Sequence, residues 1–185
     1  MTDTYSAHRG PTLETARLRL RPHRLADLDA RVALTADPET MRFVGGAQDR
    51  TENFNRVLRY AGHWALLGHG LFLIEERASG QMAGEAGLGN FQRCLGSDFD
   101  DSPEAAWMLA AWASGRGYAT EAMTAAIGWH ERQFGPVRMV CIIDPANIAS
   151  LRVATKLGFR PFRETIFKDH AVILHERLPA SPQKG

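Results

Sequence analysis

The chain has 185 residues, 22 basic and 21 acidic side chains, and a formal net charge of +1. That length suffices for one domain with a substantial core, and the even charge balance argues against a general nucleic-acid or polyanion binder. No uninterrupted apolar stretch approaches the ~20 residues of a membrane span, and the polar N-terminus lacks the apolar segment of a secretory signal. Cys94 and Cys141 stand far apart without metal-ligand spacing, so neither a disulfide framework nor a metal site is expected. Cys141, inside an apolar run, reads as a small buried hydrophobe. A soluble cytoplasmic protein follows.

Residues 1–11 are polar and are expected to be flexible, a single domain spans 12–178, and 179–185 form a flexible polar tail. Arg17, Leu18, Arg19, Leu20 and Arg21 alternate as a strand with one buried face, and the arginine row reads as its solvated side. Leu25, Leu28 and Val32 predict a short helix ending near Ala36-Asp37-Pro38. Residues 38–50 read as a loop with one helical turn. Asp49 and Glu52 have the spacing of a capping box, ahead of a helix whose apolar stripe is Phe54, Val57, Leu58, Ala61 and Trp64. Tyr60 and Trp64 belong to core and rim. Residues 71–76 and 82–88 predict a hairpin across Ala78-Ser79-Gly80. In the loop 91–103, Asp98, Asp100 and Asp101 read as a solvated acidic turn, with an acidic rim that attracts an amine as the alternative.

The strand Glu104–Ala110 then runs into Gly115-Arg116-Gly117, and a helical pattern starts at once through Ala119, Ala122, Met123, Ala126, Ile127 and Phe134. A strand that turns through glycines into a helix N-terminus is an anion site in waiting, because the turn's N–H groups lack intrahelical partners and the helix dipole favours negative charge. Arg116 is expected to add charge at its rim. The helix stops at Gly135-Pro136, and the apolar run Met139–Ile143 predicts a strand covered on both faces. A further helix follows, N-capped by Asn147 with Ser150 at the N3 position, ended by Gly158 and folded back by Phe159. Residues 162–168 and 171–177 close the chain as a hairpin around Asp169-His170. No repeat or linker interrupts it.

Two of these segments, Gly115-Arg116-Gly117-Tyr118-Ala119-Thr120-Glu121-Ala122 and Asn147-x-x-Ser150 through Leu157-Gly158-Phe159, resemble the motifs of the GNAT acetyltransferase superfamily. The opening Leu13-Glu14-Thr15-Ala16-Arg17-Leu18-Arg19-Leu20-Arg21-Pro22 is similar to the first strand of its ribosomal-protein N-terminal acetyltransferase branch, and the resemblance covers about residues 12 to 177. It implies an α/β fold with a strongly twisted, mostly antiparallel mixed sheet of six to seven strands, helices on both faces, and central strands splayed near Leu109 and Ile142. It also implies acetyl-coenzyme A (acetyl-CoA) as co-substrate and a primary amine as acceptor, on a small molecule or on a peptide or protein N-terminus. Membrane and nucleic acid are not expected partners, and a homodimer is compatible with the resemblance.

Carried over residue by residue, the resemblance places the pyrophosphate on Ser114, Gly115, Arg116, Gly117, Tyr118, Ala119 and Thr120. It lays the pantetheine arm along Met108, Leu109 and Ala110 with Asn147 and Ser150 beside it. Ser150 becomes the proton or hydrogen-bond donor to the departing thiolate, because the usual tyrosine position is Ala154. Trp112 stands where Gln or Arg is common. Glu85, on the neighbouring strand, is the first candidate for the general base, followed by Glu104, Asp100 and His130. The rival from another class is a catalytically inactive acyl-CoA-binding sensor with the same fold. A nucleotide-binding reading is set aside, because Thr120 occupies the third-glycine position of Gly-x-Gly-x-x-Gly.

Overall fold

The computed structural model describes residues 10–179, so most of the ends expected to be flexible lie outside the described residues. In chain order the elements are β1 (Leu13–Glu14), β2 (Leu18–Pro22), α1 (Leu28–Ala36), α2 (Pro38–Met41), α3 (Arg50–Leu67), β3 (Leu71–Glu76), β4 (Met82–Gly89), α4 (Ser97–Asp100), β5 (Glu104–Leu109), α5 (Tyr118–Phe134), β6 (Met139–Ile143), α6 (Ile148–Lys156), β7 (Arg160–Phe167) and β8 (His170–Arg177). The strands form one sheet in the order β1-β2-β3-β4-β5-β6-β8-β7. Every neighbouring pair is antiparallel except β5 with β6.

The mixed α/β sheet is as expected, but it has eight strands, not six or seven. The difference lies at Thr15, whose hydroxyl accepts from Leu18 N at 2.9 Å while its amide donates to Leu18 O at 2.9 Å. This turn cuts the opening segment into two strands that pair with each other. The single turn α4 was also not expected. Asp100 builds it by accepting from the amides of Arg93, Leu95 and Gly96 at 2.8, 2.7 and 3.0 Å.

Two registers fix which side chains face which layer. Leu73 pairs with Glu85 and Glu85 with Met108, so these three share a face. That face is covered by α1 and α3, whose Arg31 and Tyr60 reach Glu85. Phe72, Ala86 and Trp107 share the opposite face, which packs with Ala122, Met123, Ala126 and Ile127 of α5. Burying such side chains is worth roughly 1.5–3 kcal/mol for each large one, which clamps α5 to the sheet and makes its N-terminus a fixed point. Among the described residues no helix is long and apolar enough to cross a membrane.

Residues β5 and β6 share only the pair Glu104–Val140, supported by Val140 N donating to Pro103 O at 3.0 Å. Beyond it the two strands part, while β4 stays paired with β5 as far as Leu109. The middle of the sheet is therefore a wedge, closed at Glu104 and open towards α5. At the open end Gly84 lets β4 approach: a Cβ there would overlap the Met108 carbonyl oxygen, and φ is +150°.

Candidate active site

The loop leading into α5 stands at the open end of the wedge. A single 3-10 turn, Ala111–Ala113, ends with Ser114 N donating to Ala110 O and Ala111 O at 3.1 and 3.2 Å. The Ser114 amide, expected to face phosphate, is thus already paired. The free groups begin one residue later. Gly115 and Gly117 adopt φ of +74° and +81°, a left-handed conformation that side chains disfavour. The first hydrogen bond of α5 runs from Glu121 N to Gly117 O at 3.1 Å, and among the described residues the amides of 115–120 have no backbone acceptor. Nothing stands within 4 Å of a Cβ built at Gly115. Unpaired amides, an open cradle and a helix N-terminus fit a pyrophosphate.

Flanking side chains brace this loop. Arg116 was expected to stand at its rim, but its guanidinium donates to Glu76 at 3.1 Å and lies over the rings of Trp112 and Tyr118. Tyr118 donates to the same carboxylate oxygen at 2.5 Å. Glu121 accepts from Thr15 Oγ1 (2.6 Å), Arg17 N (3.0 Å) and Arg17 Nε (2.7 Å), tying the first strands to α5. Arg17 also donates to Arg116 O at 3.0 Å. Its alternation had marked it as a solvated arginine, and nothing in that pattern distinguishes it from Arg19.

The wedge offers a second row of amides. Ala110 N donates to Ala83 O at 2.9 Å, so strand alternation turns the amides of Trp107 and Leu109 away from β4 and into the gap. Of the expected trio, Leu109 presents its amide there, whereas those of Met108 and Ala110 face β4. Trp107, absent from the expected residues, takes the second place. Its indole N–H also crosses to α6 and donates to Ser150 Oγ at 3.2 Å. Asn147 Oδ1 accepts from Ser150 N at 3.1 Å, the N-cap expected from the sequence. Phe159 N reaches Ala154 O at 3.0 Å past Gly158, closing the helix.

Glu85 is placed differently from a general base. It is 2% exposed. Arg31 Nε donates to Oε1 at 2.7 Å, His23 Nε2 contacts the same oxygen at 2.9 Å, and Tyr60 donates to Oε2 at 3.2 Å. Arg31 in turn grips Asn53 and Gln48. Burial alone would raise the Glu85 pKa, but the hydrogen bond and charge of His23 and the Arg31 guanidinium prevail and hold it at about 2. A carboxylate held so firmly in its ionised form takes up protons poorly at neutral pH. Burial, helped by the charge of the same carboxylate, pushes the Tyr60 phenol up to about 12.

Glu104 lies at the closed end of the wedge, with Arg93 Nε and Nη2 donating to its two oxygens at 2.6 and 2.5 Å. Burial raises its pKa; Arg93 pulls it down and Asp100 adds to the rise. Asp100 itself is taken up by the α4 turn, and Asp98 lies 3.3 Å from Arg163, so an acidic rim does not form from this pair. His130 is buried, and that burial, with the charge of His69, lowers its pKa to about 4. It lines a groove of about 410 Å³ at the far end of α5, away from the open end of the wedge. Burial pushes the Cys141 thiol well up. Among the described residues no group of three or more potential ligands gathers to hold a metal.

Comparison with known proteins identifies the family. The sequence pattern of the acetyltransferase (GNAT) domain matches residues 17–160. The chain is 32% identical over 171 residues to the uncharacterized protein YkkB of Bacillus subtilis (strain 168), covering 89% of this chain and 94% of that protein. The solved structure of a GnaT-family acetyltransferase from Bordetella pertussis superposes with a TM-score of 0.83 at 35% identity, covering 90% of this chain and 99% of the other. RimL, a ribosomal L7/L12 α-N-protein acetyltransferase solved with coenzyme A, shares the fold at a TM-score of 0.75 and 16% identity, over 91% and 98% of the two chains. The chain belongs to the GNAT acetyltransferase family, and is an acyltransferase.

Proposed function

We propose that the protein transfers an acetyl group from acetyl-CoA directly to a primary amine, on a small molecule or at a peptide N-terminus. The observation that carries this reading is two sets of free amides, those of residues 115–120 at the helix start and those of Leu109 and Trp107 along the wedge, separated by the paired amides of the 3-10 turn. Acetyl-CoA supplies the activated acyl group as a thioester. Amides 115–120 would bind its pyrophosphate, and the wedge amides would hold the arm and polarise the carbonyl oxygen as it gains charge, a contribution of a few kcal/mol.

Glu104 takes the place first given to Glu85. It stands at the wedge's closed end with its pKa raised, and it would receive the proton the amine loses as the new C–N bond forms. Arg93 keeps it oriented. As the C–S bond breaks, Ser150 would give a hydrogen bond to the sulfur. The Trp107 indole occupies a lone pair of Ser150 Oγ, which leaves the hydroxyl proton available for that purpose. Protein N-termini remain within the acceptor class by the likeness of fold to RimL alone.

Calorimetric titration of acetyl-CoA into wild type and Gly117→Glu tests the assignment, followed by turnover with a panel of amines. The introduced carboxylate brings bulk and negative charge into the cradle. Wild-type binding that disappears in a folded variant, with turnover in the wild type, is expected. Absence of wild-type binding refutes the reading, and binding without turnover returns the inactive sensor.

A further inference from the structure

The acceptor's own chemistry is written on the α3 side of the wedge's closed end. Phe91 folds back over Gly89, where its ring lies 2.9 Å from a Cβ built on that glycine. Gly89 pairs with Glu104, so the ring lies beside the carboxylate assigned as base. Two guanidinium groups lie against it: Arg59 of α3 at 5.3 Å and Arg93 at 5.2 Å from the ring centroid. Arg93 also lies 5.2 Å from the centroid of Phe167 on the terminal hairpin, and Lys168 Nζ is 5.7 Å from the same centroid. Arg56 is one helical turn from Arg59 and on the same face.

The charges here are unbalanced. Arg93 is matched by Glu104, but among the described residues no carboxylate forms an ion pair with Arg56, Arg59 or Lys168. Partial burial, together with Arg56 and Arg93, lowers the Arg59 pKa, while the nearby Tyr60 opposes them. Among the described residues Arg24, Arg42, Arg132, Arg152 and Arg160 also form no ion pair; what marks this patch is that Arg59 shares the Phe91 ring with Arg93, beside Glu104. Like charges held together over aromatic faces repel one another, and an anion relieves that repulsion. Guanidinium groups fit carboxylate and phosphate well.

Resting on the acetyl-transfer reading above, we infer that the acceptor is an amine that also carries a carboxylate or phosphate, held by Arg59 and Arg56 one aromatic ring away from Glu104. The anion anchors the acceptor across Phe91, and the amine reaches past the ring to the base and the wedge. Of the three aspartates expected to attract a cationic amine, Asp100 is engaged in the α4 turn and Asp98 with Arg163, while Arg56 and Arg59 favour an anion.

The test compares O-phosphoethanolamine with ethanolamine, and a peptide beginning Asp-Glu with its Asn-Gln counterpart, in wild type, Arg56→Gln and Arg59→Gln. Both arginines project from the surface of α3, and circular dichroism checks that the variants fold. The anionic member of at least one pair should show kcat/KM tenfold or more above its neutral partner, an advantage that shrinks with added salt. Arg59→Gln should remove it through KM while sparing the neutral acceptors. Which pair responds distinguishes a small molecule from an acidic peptide. Equal turnover of charged and neutral acceptors, or an unchanged ratio in Arg59→Gln, overturns the inference and leaves acetyl transfer standing. Titration of O-phosphoethanolamine and the Asp-Glu peptide into protein saturated with coenzyme A reads the anion site without turnover. Binding of either that Arg59→Gln abolishes supports the inference even if transfer fails, and binding of neither overturns it.

Discussion

Replacing Glu85 by glutamine separates two roles a buried carboxylate can have. The side chain keeps its shape but loses the charge that faces Arg31 and His23. In the folded protein the pKa falls from the ordinary 4.5 to about 2. At 1.36 kcal/mol per pH unit, that depression corresponds to about 3 kcal/mol of stability. This agrees with the 3–5 kcal/mol typical of leaving one member of a buried pair without its partner. For a chain of this size, about 3 kcal/mol lowers Tm by roughly 6–12 °C. Thermal unfolding followed by circular dichroism measures it directly, and urea titration gives a second value. The folded-state pKa lies below the unfolded one, so the contribution is complete above pH 4.5 and disappears as the pH falls towards 2. The variant's deficit should therefore narrow on acidification. Well below its lowered Tm, the variant should acetylate at close to the wild-type rate. A Glu85→Gln protein with unchanged Tm and kcat reduced a hundredfold would refute this reasoning and restore Glu85 as the base.

Glu104→Gln should lower kcat by about 10²–10⁴-fold while acetyl-CoA affinity is retained, as read by steady-state kinetics and calorimetry. In the wild type the acidic limb of the pH–rate profile should lie above the ordinary carboxyl value, because burial raises the Glu104 pKa and the base works only when ionised. Trp107→Phe removes the indole donor to Ser150; kcat should fall several-fold with little change in the affinity for acetyl-CoA, and an unchanged kcat would separate Ser150 from the chemistry. Gly84→Ala should destabilise by about 3 kcal/mol from overpacking and backbone strain, detectable as a Tm loss near 10 °C, since the added methyl meets the Met108 carbonyl oxygen.

What could be read from the sequence was whatever has a local cause. The Asp49–Glu52 capping box, the Asn147 cap and the glycine loop before α5 each depend on a few neighbouring residues, and each forms as expected. The apolar stripe of α5 is also local, and Ala122, Met123, Ala126 and Ile127 are buried as expected, although Phe134 at its end is exposed. The missing pieces depend on residues far apart in the chain. Arg31 gave no sign of being a buried partner for Glu85, because nothing in α1 announces the carboxylate 54 positions later. Trp107 and Ser150 meet across 43 positions, and only the parting of β5 from β6 brings the indole to the hydroxyl. Phe91 and Arg93 lay in a stretch read by its aspartates, yet Asp100 shapes the turn and Arg93 reaches Glu104. Glu104 was among the candidates, but its precedence over Glu85 followed from contacts, not from composition.

The parting of β5 from β6 has a consequence for how the molecule survives when empty. An ordinary sheet hides its backbone hydrogen-bonding groups in the interior and risks sticking only at its two margins. Here two further margins lie in the middle, joined at the Glu104–Val140 pair. Another extended segment, from a neighbouring chain or a nascent one, can compete for them. On the acetyl-transfer reading proposed above, the arm of acetyl-CoA would run between the strands and act as a shield as well as a reactant. Storage in coenzyme A should slow exchange of the Trp107 and Leu109 amides and delay aggregation on heating by more than its binding affinity alone provides.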